Sequence, residues 1–341
     1  MLERYFSIQE KKRFAVHWVT RSLECGVEDM SSATEEELAE ANRGMSREAR
    51  ALASRPADPV VAPARGNSLL DLKIELAGRM LTHCACCERR CGADRTEGEK
   101  GYCGVGAHSR YSSDFLHMGE EMELVPSHTI FFSGCTFKCV YCQNWDIAMH
   151  PESGRTAEPE MLSAVLMEGI SQGSRNANFV GGNPDPNLHT ILETVRLLGS
   201  AGRFLPMVWN SNMYTSLEAM EVLEGVMDVY LGDFRYGNDE CARELSDVDG
   251  YFEVVGRNFA RAHETAEVMI RHLVLPGHLE CCTRPVMEWV GKNMPGAYFN
   301  LMFQYRPEYR AGLFPAIDRR LSEEERRRAL AMAGEYGLAI G

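Results

Sequence analysis

"HTIFFSGCTFKCVYCQN", residues 128–144, joins an apolar, strand-like run to a polar loop that carries Cys135, Cys139 and Cys142. In βα architectures ligand sites gather at the C-terminal ends of the strands, so a cysteine loop directly behind a strand lies where chemistry is done. Three thiolates spaced C-x3-C-x2-C can hold three irons of a [4Fe–4S] cluster and leave the fourth iron without a protein ligand. An open iron can bind a small molecule, much as an open zinc position permits chemistry that a closed site does not. A structural zinc with a distant fourth ligand, or unligated thiols, are the alternatives left by the spacing alone.

Outward from this stretch the chain alternates regularly. Apolar, β-rich runs recur at 128–134, 176–182, 204–210, 226–234, 268–276 and 297–305, separated by helix-like segments such as "AEPEMLSAVLMEGISQ", "NLHTILETVRLLGS" and "TSLEAMEVLEG". Continuous apolar strands alternating with helices indicate a parallel sheet covered on its faces. Six such units are too few for a closed eight-unit barrel, which leaves a partial (βα)6 TIM-type barrel or a doubly wound sheet. The expected division is a helical extension and linker over 1–70, a Cys-rich segment over 71–126, and the (βα)6 core over 127–341. In the extension, Thr34 and Glu37 form a capping-box pattern, and three prolines within 56–67 read as a linker. Ser322 and Glu325 open a last helix that Gly337 stops.

The chain of 341 residues has 45% hydrophobic and 25% charged residues, enough for a large core and a hydrated surface. A net charge of -13 argues against nucleic acid or an anionic membrane as partner. There is no apolar signal segment and no run of eighteen apolar residues, so the chain reads as cytoplasmic. In that compartment twelve cysteines are metal ligands more readily than disulfides. Cys84, Cys87, Cys91 and Cys103, spaced C-x2-C-x3-C-x11-C, form a second candidate metal site, suited to a closed zinc or an auxiliary iron–sulfur cluster that staples a loop-rich segment. Cys25, Cys241, Cys281 and Cys282 read as scattered thiols without a ligand role. His117, Glu120, Glu121 and His128 read as a solvated strand edge.

Cys135, Cys139 and Cys142, with Tyr141 before the last cysteine, resemble the C-x3-C-x-aromatic-C signature of the radical S-adenosylmethionine (SAM) enzymes. The resemblance extends over about residues 84–340 and is greatest to the pyruvate formate-lyase activating-enzyme-like proteins. It implies a [4Fe–4S] cluster whose open iron chelates SAM, and reductive cleavage of SAM to methionine and a 5′-deoxyadenosyl radical. It also implies a reductant such as flavodoxin or ferredoxin. The acceptor of the radical stays open between a protein, as in glycyl-radical-enzyme activation, and a small molecule or peptide; an electron-transfer role is the remaining alternative.

Other strand ends carry matching motifs. "FVGGNP" resembles the glycine-rich motif that binds the methionine amino group, placing Gly181, Gly182 and Asn183 at the cofactor, with Asn183 where relatives have an acidic residue. "VWNSN" puts Asn210 where relatives reach the ribose or methionine. "DVYLGDFRY" resembles the activases' Asp-x-Lys motif, with Asp233 in place and Arg235 standing for lysine. "IRHLVLPGH" resembles their fifth-strand motif, in which Arg271 and His272 face the cofactor.

Overall fold

A computed structural model describes residues 2–57, 64–203 and 205–340. Residues 58–63 of the expected linker, and Phe204 at the start of the third expected strand, lie outside the described residues.

Each of the six apolar runs forms a strand: β2 (Ser127–Phe132), β4 (Asn176–Gly181), β5 (Met207–Ser211), β6 (Val229–Asp233), β7 (Glu267–Leu273) and β8 (Tyr298–Met302). They pair in parallel and in chain order, as the units of a partial (βα)6 barrel do. Two further strands, β1 (Arg110–His117) and β3 (Arg155–Thr156), complete an eight-stranded sheet of order β3-β1-β2-β4-β5-β6-β7-β8. The sequence does not announce β1 because "RYSSDFLH" is half-exposed and lacks the apolar run of a doubly covered strand. It pairs antiparallel with β2, so the barrel has an edge on that side instead of a seventh parallel unit.

Local chemistry explains the helices. Glu35–Ala53 starts at a capping box of Thr34 and Glu37, Leu69–Arg79 at one of Ser68 and Asp71, and Glu323–Glu335 at one of Ser322 and Glu325. Gly337 takes the left-handed conformation that ends the last helix. Cys25, Leu38, Ala49, Leu69 and Leu76 of the N-terminal extension share one apolar core with the barrel. Lys73 is fully buried there; its Nζ donates to Asn42 Oδ1 at 2.6 Å, Ser46 Oγ at 2.8 Å and Glu221 O at 3.3 Å, tying two N-terminal helices to helix Leu217–Leu223.

The first helix, Glu3–Gln9, closes the barrel from below. Leu2 and Tyr5 pack with Leu124 and with Val208, Val229, Leu231, Met269 and Tyr298 of β5–β8. Arg4 donates to Asp228 Oδ1 at 2.9 Å and, through its backbone N–H, to Glu267 Oε1 at 2.8 Å, at the entries to β6 and β7. Asn176 Nδ2 donates to the buried Tyr5 hydroxyl at 2.9 Å. With the N-terminal ends plugged, a ligand reaches the interior from the C-terminal face. Tyr5→Ala removes an aromatic side chain from this plug; we expect a loss of about 3–5 kcal/mol in urea unfolding of the apo-protein, and about 1 kcal/mol for Tyr5→Phe.

Candidate cofactor site

The C-terminal strand ends enclose a cleft of about 210 Å³ that opens to solvent. Cys135, Cys139, Tyr141 and Cys142 line it together with Gly181 and Gly182 and with the charged Asp233, Arg235 and Arg271. The glycines have a backbone reason to be there. A Cβ on Gly182 would sit 2.2 Å from Gly134 O, and one on Gly181, at φ +121°, 2.1 Å from Phe132 O. Only glycine lets the end of β4 pass this close to the cysteine loop.

Cys139 receives the densest set of donors. Arg235 Nη1 lies 3.1 Å and Ser246 Oγ 2.9 Å from its Sγ. The Phe137 N–H points at Cys135 Sγ from 3.4 Å. Burial pushes the thiols of Cys135 and Cys142 up to about 12, a cost that ligation to a metal would remove. Tyr141 is buried, its hydroxyl 2.6 Å from that of Tyr236, which in turn meets Ser246.

Asp233 is gripped twice, by Arg235 Nη2 at 2.6 Å and Arg271 Nε at 2.8 Å. Burial alone would raise its pKa, but the two guanidiniums hold the carboxyl below the ordinary aspartate value. Arg271 Nη2 also donates to Asn210 Oδ1 at 2.6 Å, and Arg271 Nη1 stands 3.8 Å from Glu120. Glu120 and Glu121 are therefore not the solvated edge their sequence suggests: both turn inward, and Asn300 Nδ2 donates to Glu121 Oε1 at 3.0 Å. His128 is buried as well, 3.5 Å from Asp114. Charge next to a strand is a poor guide to exposure when an arginine waits across the sheet.

Three other expected cofactor residues are set back from the cleft. Asn183 is buried, its side chain donating to Asp185 and to Thr136 Oγ1 and accepting from the Asn212 N–H at 3.1 Å, so it braces the cysteine loop from beneath. His272 is fully buried between Phe234 O at 2.6 Å and Thr283 Oγ1 at 3.0 Å; burial pushes its pKa down to about 4, so the ring is neutral at pH 7. Asn210 is buried behind Arg271, and its Nδ2 has no partner, a donor left free beside the cleft. The bracing residues Thr136, Asn212 and Asp185, and the donor Ser246, have no sequence signal of their own, because each acts through a neighbour brought close by the fold.

In the N-terminal segment Cys84, Cys87 and Cys103 are buried and Cys91 is exposed. Arg95, 2% exposed, lies among them with Nη2 3.6 Å from Cys103 Sγ and Nε without a partner. A guanidinium buried among thiols is compensated once those thiols are anionic, as metal ligation makes them. All twelve cysteines are free thiols. Cys241, Cys281 and Cys282, scattered in the sequence, converge on His278.

At the cluster loop the residues present fit the group that the motif implies, with donors directed at the sulfurs of Cys135 and Cys139; no three of the ligand atoms of Cys84, Cys87, Cys91 and Cys103 come within 4.8 Å of one another. The family model of the radical SAM superfamily matches residues 129–290. The uncharacterized protein MJ0674 of Methanocaldococcus jannaschii is 47% identical over 279 residues, covering 80% of this chain and 80% of its own length. This chain belongs to the radical SAM superfamily, whose enzymes use a [4Fe–4S] cluster and SAM. A domain of pyruvate-formate lyase-activating enzyme from Bacteroides vulgatus overlays at TM-score 0.38 and 16% identity, covering 49% of this chain and 98% of that one. Streptococcus suis SuiB overlays at TM-score 0.43 and 13% identity, covering 61% and 44% respectively. Among the described residues no helix is long and apolar enough to cross a membrane.

Burial raises Glu120 to about 7 despite the nearby Arg271. The folded chain then binds more protons than the unfolded one between the ordinary glutamate value and about 7, so this group's contribution to stability falls as pH rises through that window. Glu120→Gln, neutral throughout, should melt above wild type at pH 8, by on the order of 2 kcal/mol, with the gap closing toward pH 5. Thermal melts across that range check this.

Proposed function

We propose that this enzyme cleaves SAM reductively at a cluster held by Cys135, Cys139 and Cys142 and passes the radical to a protein substrate, in the manner of an activating enzyme. The observation that carries the reading is the meeting of these cysteines with Asp233, Arg235 and Arg271 in one cleft at the strand ends. When bound, the cluster and SAM supply electron transfer, sulfonium cleavage and a 5′-deoxyadenosyl radical.

The chain's own residues do the rest. Arg235 fixes a positive charge between the Asp233 carboxylate and Cys139, the place where the activase motif has lysine. Gly181 and Gly182 let the cofactor approach backbone. Arg271 presents the third charge of the cleft wall, with Asn210 behind it. Tyr141 and Phe137 add apolar surface that limits water around the cysteines. Cys84, Cys87, Cys91 and Cys103 hold a second metal centre, zinc or an auxiliary iron–sulfur cluster, balanced by Arg95. A flavodoxin or ferredoxin is the expected reductant.

A protein substrate is favoured by exposed apolar side chains outside the cleft, Met122 among them in a neighbouring hollow that shares Arg271 and Met302 with it. Met118 and Met122, 64% and 79% exposed, flank the Glu120–Glu121 turn beside Arg271, and Leu313, 75% exposed, lies on the C-terminal segment. Exposed methionines of this kind suit adaptable contact with a polypeptide.

Anaerobically reconstituted protein with dithionite and SAM should form 5′-deoxyadenosine, and Cys139→Ala should not. No product with or without cell extract would refute the reading; product that rises only with extract fractions below peptide size would move the substrate to a small molecule. In wild type, the reduced-cluster electron paramagnetic resonance signal should change on addition of SAM. Arg235→Gln removes a cation from beside Cys139 and should lower the cluster's midpoint potential by roughly 50–100 mV in a redox titration, the equivalent of one charge-assisted hydrogen bond.

A further inference from the structure

Away from the cofactor cleft, Cys241, His278, Cys281 and Cys282 bring four ligand atoms within 4.8 Å of one another, the one such set of three or more metal-ligating side chains among the described residues. Cys241 lies in helix Asp239–Ser246 after β6, and His278 in the turn after β7. Cys281 and Cys282 follow in a single π-helical turn, Leu279–Thr283, ahead of helix Arg284–Asn293. The wide turn reduces the angle between consecutive side chains, which lets both face the same point.

The geometry points to a closed mononuclear zinc site made by these four residues. Tetrahedral zinc, with Zn–S near 2.3 Å and Zn–N of about 2.0–2.1 Å, holds its sulfurs about 3.8 Å apart and a sulfur and nitrogen about 3.5 Å apart. Cys241 and Cys281 Sγ are 3.8 Å apart, and His278 Nδ1 is 3.6 Å from Cys241 Sγ and 3.4 Å from Cys281 Sγ. A four-iron cluster would attach each thiolate to a different iron and hold them wider. Three sulfurs and an imidazole are a zinc donor set, and four protein ligands leave no position open for substrate.

The surroundings are those of a ligated thiolate. Asn238 caps the helix by accepting from the Cys241 N–H at 2.8 Å, while its Nδ2 donates to Cys281 O at 2.7 Å and points at Cys241 Sγ from 3.4 Å. Gly237 allows the two segments to meet: a Cβ there would lie 2.7 Å from Cys281 O and 2.8 Å from Cys282 O.

The site has a consequence for the cleft. The segment it clamps begins two residues after Arg235 and ends at Ser246, and both of these side chains reach Cys139 Sγ. The zinc therefore positions the donors to a cluster cysteine without touching it.

Zinc per chain, measured by mass spectrometry on purified full-length protein after a chelator wash, tests this without recourse to the SAM reaction. Cys241→Ser and Cys282→Ser should each lose one equivalent relative to wild type. Cys25→Ser should keep that equivalent, and His278→Cys, which preserves four ligands, should keep it too. Should the serine variants fail to fold, zinc-edge X-ray absorption of the wild-type protein still decides: a nitrogen in a sulfur-rich shell is expected. Equal zinc in wild type and Cys282→Ser, a zinc shell without nitrogen, or a Cys241–Cys281 disulfide in peptide mapping would each overturn the assignment.

Discussion

Everything at the mouth of this barrel is arranged around a guanidinium held between a carboxylate and a thiol. Arg235 spans Asp233 and Cys139, and Asp233 is shared with Arg271. Glu120 stands 3.8 Å from Arg271, so Asp233 and Glu120 together answer the two cations. Arg235 nonetheless puts a buried positive charge 3.1 Å from Cys139, a place suited to the anionic sulfur that metal ligation supplies. The same reasoning applies at the N-terminal segment, where Arg95 is buried among Cys84, Cys87 and Cys103.

The strands of the fold were legible in the sequence because burial on both faces writes itself as an apolar run. All six parallel strands obey that rule, and β1 escaped notice because it does not. The helices with capping boxes were legible because a cap is a local bargain between residues three apart. Site residues behaved differently. The three loop cysteines could be found by spacing, and Asp233, Arg235 and Arg271 by their place at strand ends. Asn183 and His272 occupy equally promising positions, yet their side chains turn to Thr136 and to Phe234 O. Which way a side chain turns at a strand end depends on partners from other units, and a single motif does not contain them. For Cys241 and Cys281 the obstacle is separation: they stand forty positions apart in the chain, with helix and strand between, and their sulfurs end up 3.8 Å apart.

The plug below and the clefts above divide labour in a way the strand order makes necessary. An open sheet of six parallel strands has a gap between its first and last units, and solvent would enter there unless something covers it. Residues 119–124 cross that gap. Leu124 is buried in the barrel floor with Tyr5, Glu123 accepts from the Tyr298 hydroxyl at 3.1 Å, and Glu121 accepts from Asn300 Nδ2 at 3.0 Å. Glu120 then turns toward Arg271. The acidic pair that reads as surface is the strap that joins the β2 side of the sheet to β8.

Such a strap is secured at one end by apolar burial and along its length by single polar contacts. Segments held in this way open at far lower cost than strands buried on both faces. Displacing residues 119–123 would expose β8 and Arg271 from the side without disturbing the plug, the cysteine loop or the strands between them. A folded partner could then present an extended segment to the cleft wall laterally, with Met118 and Met122 as its first contacts. A small molecule has no need of that route, since the C-terminal face is already open to it. The strap thus carries Met118 and Met122, 64% and 79% exposed, on either side of the buried Glu121, so apolar surface and a lightly held segment coincide beside Arg271.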